Sequence, residues 1–378
     1  MKKILLVEPE FPIATKSKNH SNFLPIGLLK LASYYRKKGH LIQLNRGNKV
    51  AKFNPDRILV TSLFTYWSDY VKETVQYYKT MYPEASIEVG GVYATLMPEH
   101  CKEYTGCDKV FKAQHKGADA SKPAYDLVDV DYQIIHGMRG CIRNCPFCGI
   151  WKIEKKHFKD ADQIKKEINS NKLIFYDNNM LVNPHIEEIL EMLATTKHNG
   201  RVIQCECQSG FDGRVLMQKP HLAKLLKNAR FNNMRVAWDF PYNEASVRMV
   251  EKWLDIFEDA GYNRKDVYIF MIYNWDYNYN HMELKRAQCY EWGVQIADCR
   301  YRPLDQTFDR YNPRKKEQTN EDYFIHKTWS DSDIRQFRRN VRKHNICIRH
   351  NIRWEKYDQN LERMNSRKKL IKVELKHS

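Results

Sequence analysis

The chain alternates strand and helix twice over, and that alternation limits its fold more than any other feature. In the first run, short apolar stretches at 3–9 (KILLVEP), 40–45 (HLIQLN), 56–64 (DRILVTSLF), 86–91 (SIEVGG) and 108–113 (DKVFKA) read as strands. Between them, 25–39 and 68–83 carry apolar residues at helical spacing. Gly39 marks one helix end, and Ser68 and Pro83 bracket the other helix as N-cap and stop. Strands joined through helices imply a parallel sheet covered on both faces, with ligands beyond the carboxyl ends of its strands. The polar stretch 114–128, with Gly117 and Pro123, reads as a linker.

The second run is longer. Strands are predicted at 132–138, 172–179, 201–209, 234–240, 266–274 and 294–304, and each but the last is followed by a helical pattern. Six units are two short of a full eightfold barrel, so a partial (β/α)6 TIM barrel, open on one side, is expected. The fold class is therefore α/β: a Rossmann-like domain over 1–112, a linker over 113–130, a partial barrel over 131–305 and a basic, mainly irregular or helical extension over 306–378. Within that extension, 330–345 reads as one helix capped by Ser330.

Ten cysteines in 378 residues, without an export signal, do not suggest a disulfide scaffold. They fit a reducing, cytoplasmic setting in which clustered thiols hold metal. No apolar run reaches membrane-span length, so no membrane association is expected. The net charge is +17, and from Arg310 onward 19 Lys/Arg stand against 9 Asp/Glu. Such a basic region suits nucleic acid or another anionic partner, and equally a merely solvated surface.

Three cysteines lie within eight residues, Cys141, Cys145 and Cys148, spaced C-x3-C-x2-C. A structural zinc site needs four ligands, usually as two paired motifs, and a second C-x2-C is missing. His136 or His157 could complete a Cys3His site, which would make the chain a non-catalytic, metal-stabilised nucleic-acid-binding protein. Three thiolates also suit a four-iron cluster with one open iron.

With Phe147 before the last cysteine, and with its place after the first barrel strand, this motif resembles that of the radical SAM superfamily. The resemblance implies a [4Fe-4S] cluster on Cys141, Cys145 and Cys148 that binds and reductively cleaves S-adenosylmethionine, using electrons from a flavodoxin- or ferredoxin-like donor. It places the backbone at Phe147 against adenine. It places Asp177, Asn178 and Asn179, where the family has a Gly-Gly-Glu or acidic segment, against the methionine ammonium.

Strand periodicity adds further candidates. On the third strand Gln204, Glu206 and Gln208 share one face, and Ile203, Cys205 and Cys207 share the other. The outer barrel face should be apolar, so the polar face is expected to line the cofactor and substrate cavity, with Gln208 near the cofactor. Arg235 and Asp239 on the fourth strand are expected to face inward, Asp239 toward the cofactor. Arg300 and Arg302 on the sixth are candidates for an anionic substrate or the cofactor carboxylate.

The segments 24–45 and 88–100 resemble the cobalamin-binding domain of cobalamin-dependent radical SAM enzymes. That implies cobalamin near Gly90 and Gly91, and a methylation at an unactivated carbon or another radical modification. The Asp-x-His-x-x-Gly motif is absent: Asp56 and Asp69 are the only aspartates in the first hundred residues, and neither has a histidine two positions on. Either cobalamin binds without a histidine ligand or the domain serves as scaffold.

Overall fold

A computed structural model describes residues 1–12, 23–112 and 114–357. The chain forms two compact units: Met1–Ser209 with Arg302–Asn312 and Gln318–Phe324, and Gly210–Tyr301 with Pro313–Glu317 and Ile325–Ser378. The division falls inside the segment expected to be one barrel. The expected extension is likewise shared between the units, and its residues 358–378 lie outside the described residues.

The first unit opens with β1 (Lys3–Glu8), α1 (Ile26–Lys37), β2 (Leu41–Arg46), β3 (Arg57–Ser62), α2 (Ser68–Met81) and β4 (Ser86–Gly91). There follow α3 (Val92–Leu96), α4 (Pro98–Thr105), β5 (Lys109–Phe111) and α5 (Lys116–Asp119). The five strands form one parallel sheet in the order β2-β1-β3-β4-β5. Two details differ from the sequence reading. Residues 92–105 form helices that apolar periodicity does not reveal. Ser68 begins α2 without capping it, because its hydroxyl donates to the Thr307 carbonyl at 2.7 Å.

The two faces of this sheet are covered unequally. On one, Leu5, Val7, Ile58, Val60, Ile87 and Val89 meet α2, α3 and α4 in a continuous core. On the other, Ile4, Leu6 and Leu59 pack against Leu28, Ala32 and Tyr35 of α1. Over β4 and β5, α1 gives way to the four-residue α5 and to Arg139, Ile153 and Glu154. The gap is a cavity of 450 Å³ whose walls include Leu28, Leu31, Leu59, Thr61, Gly90 and Phe111.

The unit continues through β6 (Gln133–Ile135), β7 (Met138–Arg139), α6 (Ile150–Ile153), β8 (His157–Phe158), α7 (Ala161–Glu167), β9 (Lys172–Phe175) and α8 (Ile186–Thr195). It then forms the small hairpin of β10 (Lys197–His198) and β11 (Arg201–Val202), and β12 (Gln204–Cys207). β9 pairs in parallel with β6 on one side and β12 on the other.

The second unit contains α9 (Gly213–Gln218), α10 (His221–Asn228), β13 (Phe231–Asn232), β14 (Met234–Ala237), α11 (Glu244–Asp259), β15 (Val267–Tyr273), α12 (Tyr279–Glu291), β16 (Gln295–Arg300) and α13 (Asp331–His350). β14, β15 and β16 form a parallel sheet. α13 begins at Ser330 in a capping box, as expected, and runs five residues further than its sequence pattern. It packs through Ile334, Phe337, Val341, His344 and Cys347. The side-chain amide of Asn345 pairs with both the N–H and the C=O of Ile296, at 2.8 and 2.7 Å. All six strands expected after residue 131 are present. Among the described residues no helix is long and apolar enough to cross a membrane.

Candidate active site

The three cysteines sit on a loop whose root is tied down from several directions. Ile135 on β6 pairs with Phe175 on β9, so the segments that follow these two residues run side by side. Asp177 therefore lies beside Gly137 and Met138. Its two carboxylate oxygens accept their backbone N–H groups, at 2.9 and 2.6 Å. Asn183 donates its amide to the carbonyls of Gly137 and Lys159, at 2.9 and 3.0 Å. β7 and β8 then pair antiparallel, Met138 with Phe158 and Arg139 with His157. Arg139 forms ion pairs with Asp119, at 3.0 Å, and with Glu154. Gly140 has φ +70°, and a Cβ there would meet the backbone of Lys156 at 2.9 Å. Only glycine fits this crossing.

From that root hangs the loop 141–148. A turn bond joins the Cys148 N–H to the Cys145 carbonyl at 3.0 Å. All three thiols are half-exposed. Two N–H donors are directed at Sγ of Cys141: the Arg143 backbone at 3.3 Å and Nδ2 of Asn179 at 3.9 Å. Among the described residues no three His, Cys, Asp or Glu side chains gather as ligands of a single metal ion, and neither His136 nor His157 joins the cysteines in such a group.

The structure sorts the remaining expected residues. Asp177 is fully buried and turned to the chain; burial raises its carboxyl to about 7 against the pull of the two backbone donors. It fixes the loop instead of facing a cofactor. Asn178 and Gln208, beyond the ends of β9 and β12, each hold a buried amide oxygen without a hydrogen-bond partner. An orphaned acceptor of this kind costs on the order of 1–3 kcal/mol, which a ligand bearing N–H or O–H groups would recover. Asn179 is buried with its amide toward Cys141, and Phe147 is half-buried on the loop.

On β12, Glu206 is buried but Gln204 is exposed, because it stands at the strand's entrance. The expectation that Gln204 lines a cavity is corrected on that ground. Cys205 and Cys207 are buried, as their face required. Gly91 has φ +107°, and a Cβ would stand 2.1 Å from the Ser62 carbonyl oxygen, so the strand's own crossing requires this glycine. Gly90 has ordinary room, its nearest neighbour being Phe111 at 3.6 Å, and it lines the 450 Å³ cavity.

In the second unit, Arg235 and Asp239 alternate with the buried Val236 and Trp238, as expected. Burial raises the Asp239 carboxyl, opposed first by Lys285. Lys285 is a residue that sequence reasoning misses. It is 1% exposed, donates to the Trp238 carbonyl at 3.0 Å, and lies over the Trp238 and Tyr277 rings. Met282, Lys285 and Cys289 share the buried stripe of α12, so its helical phase is the available signal. Arg300 is half-buried at the end of β16. Arg302 belongs to the first unit, where it pairs with Asp309 at 2.5 Å and stacks on Tyr66. That pairing corrects its reading as an anion receptor.

Residues 135–284 match the family model described as the radical SAM superfamily. No curated protein matches the chain. Among solved structures, a novel cobalamin-binding protein from Desulfitobacterium hafniense DCB-2 is similar at 18% identity and TM-score 0.24, over 31% of this chain and 56% of that one. The chain spans about half the length of that protein, and so slight a likeness carries no functional weight.

Proposed function

We propose that the protein is a radical SAM enzyme that modifies its substrate with the help of cobalamin. When bound, a [4Fe-4S] cluster and S-adenosylmethionine supply one-electron cleavage of the sulfonium, and cobalamin supplies a transferable methyl group. Cys141, Cys145 and Cys148 are the cluster ligands in this reading, and Asp177 is their positioning residue through Gly137 and Met138. The observation that carries it is the tethered three-thiol loop beside two orphaned acceptors, Asn178 and Gln208. Those acceptors suit the ammonium and hydroxyl groups of S-adenosylmethionine.

In this reading β6, β9 and β12 of the first unit and β14, β15 and β16 of the second, each set parallel within itself, correspond to the family's barrel strands. Glu206, Arg235, Asp239 and Arg300 are the candidates for contact with cofactor or substrate. The cavity between α1, α5 and the first sheet has the size and mixed lining of a small-ligand site, and Gly90 leaves its wall open. It is the site assigned to the cobalamin tail.

Anaerobic reconstitution tests the reading. The brown protein should hold about four irons. On reduction with S-adenosylmethionine it should release 5′-deoxyadenosine or S-adenosylhomocysteine. A colourless protein holding a single zinc would overturn it. Added hydroxocobalamin should co-elute with its own absorbance bands, and failure to do so would remove the cobalamin part alone.

A further inference from the structure

A second cavity, of 490 Å³, lies along the edge of β6 that faces away from β9, between residues 114–123 and the β7–β8 hairpin. Six cationic side chains line it against two carboxylates. Three of the six sit deep and have counter-ions: Lys30 and Arg139 share Asp119, at 2.9 and 3.0 Å, and Lys159 holds Glu167 at 2.7 Å. Lys122 reaches away to the Lys166 carbonyl. Lys116 and Lys155 stand at the rim, beside His157, with no carboxylate partner among the described residues. His136 lines the wall, and burial together with Arg139, Lys30 and Lys159 lowers its imidazole to about 3. It is therefore a neutral ring in a positive field. The edge itself is closed at Ile134, whose N–H and C=O both bond the Tyr125 hydroxyl, so no added strand is invited there.

A pocket this size with excess positive charge, a neutral imidazole and exposed rim lysines fits a compact polyanion better than an apolar group. We propose that this cavity binds a ligand bearing phosphoryl groups with at least two negative charges. Lys116, Lys155 and His157 close over the outer oxygens, and His136 makes a neutral hydrogen bond inside. The site is separate from the cluster and does not depend on it. Its floor residue Arg139 directly precedes the loop root Gly140, so an occupant would also brace that loop.

Calorimetric titration of the full chain with inorganic pyrophosphate, before and after cluster reconstitution, tests this. Binding should be seen in both states and weaken steeply as salt rises. The double variant Lys116→Met, Lys155→Met should weaken it at least tenfold while leaving S-adenosylmethionine cleavage unchanged. Lys252→Met on α11, in the second unit and outside the lining of this cavity, should not affect it. A nucleoside diphosphate binding tighter than pyrophosphate would assign an organic phosphate ester, and the reverse order an inorganic one; both support the site. Absence of binding at millimolar pyrophosphate, equal binding of citrate, or indifference to the double variant would overturn it.

Discussion

The carboxylate of Asp177 and the backbone N–H of Met138 meet at 2.6 Å, across 39 positions of sequence and out of reach of water. This contact and its neighbour at Gly137 make the position of the cysteine loop depend on one acidic side chain. Asp177→Asn keeps the shape but turns a donor toward a backbone N–H. A loss on the order of 1–3 kcal/mol is expected, with iron uptake falling in parallel. Because folding raises this carboxyl from 3.8 to about 7, the folded chain binds the proton more tightly than the unfolded one. The contribution is full below about pH 4 and is lost as pH rises through about 7. Urea melts across that range should show wild type losing ground to Asp177→Asn as pH increases; a constant difference would contradict this.

Alanine at Cys141, Cys145 or Cys148 should abolish the brown colour and adenosyl cleavage. Alanine at Cys205 or Cys207 should retain both and cost only about 1 kcal/mol of packing. Iron assays on the five variants check this, and loss of iron at Cys205→Ala would contradict the orientation of β12.

How much of the molecule is legible in its sequence depends on the range of the signal. The strands and most helices announce themselves through local periodicity, and the cysteines through spacing. The helices at 92–105 do not, because at five and eight residues each is too short to show a helical period. Sequence marks Asp177 as important but suggests the wrong task, since only the pairing of β6 with β9 brings it beside Gly137. Gln204 and Arg302 mislead for related reasons: strand phase cannot tell where burial begins, or that Asp309 turns back to Arg302. Gly91 looks like a cofactor glycine, whereas the Ser62 carbonyl accounts for it.

Gly91 and Gly90 should accordingly behave differently. Gly91→Ala puts a methyl into the backbone of β3 at a positive φ and should destabilise the chain by several kcal/mol, on the order of 3 or more. Gly90→Val should fold and instead weaken cobalamin binding. Thermal melts and absorbance titrations on the pair separate the two roles.

Burial lowers Lys285 from 10.5 to about 8, opposed by Asp239. Between those values the unfolded chain holds more protons than the folded one, so stability should rise with pH over that interval. Lys285→Met removes the titration. The stability gap between the two proteins should shift in favour of wild type by up to about 3 kcal/mol from pH 8 to 10.5. A gap that stays flat would show that Lys285 keeps its charge in its pocket and that burial does not lower it.

On α13, Arg338, Arg339 and Arg342 are exposed, whereas Lys343 lies over the Trp354 ring at 4.0 Å. If a nucleic acid is the substrate, Arg339→Ser with Arg342→Ser should reduce its retention and flatten the salt slope by about two. Adenosyl cleavage without substrate should be unchanged. Filter binding at several salt concentrations decides whether this face is a recognition surface or solvated charge.

The hairpin of β7 and β8 has a consequence for how the proposed cluster would fare in air. Its pairs, Met138 with Phe158 and Arg139 with His157, close the root of the cysteine loop with protein contacts alone. Oxygen that strips the iron would leave that frame standing. On the proposed reading, inactivation by air would then be a loss of cargo and not of architecture, and refilling would not require the chain to unfold.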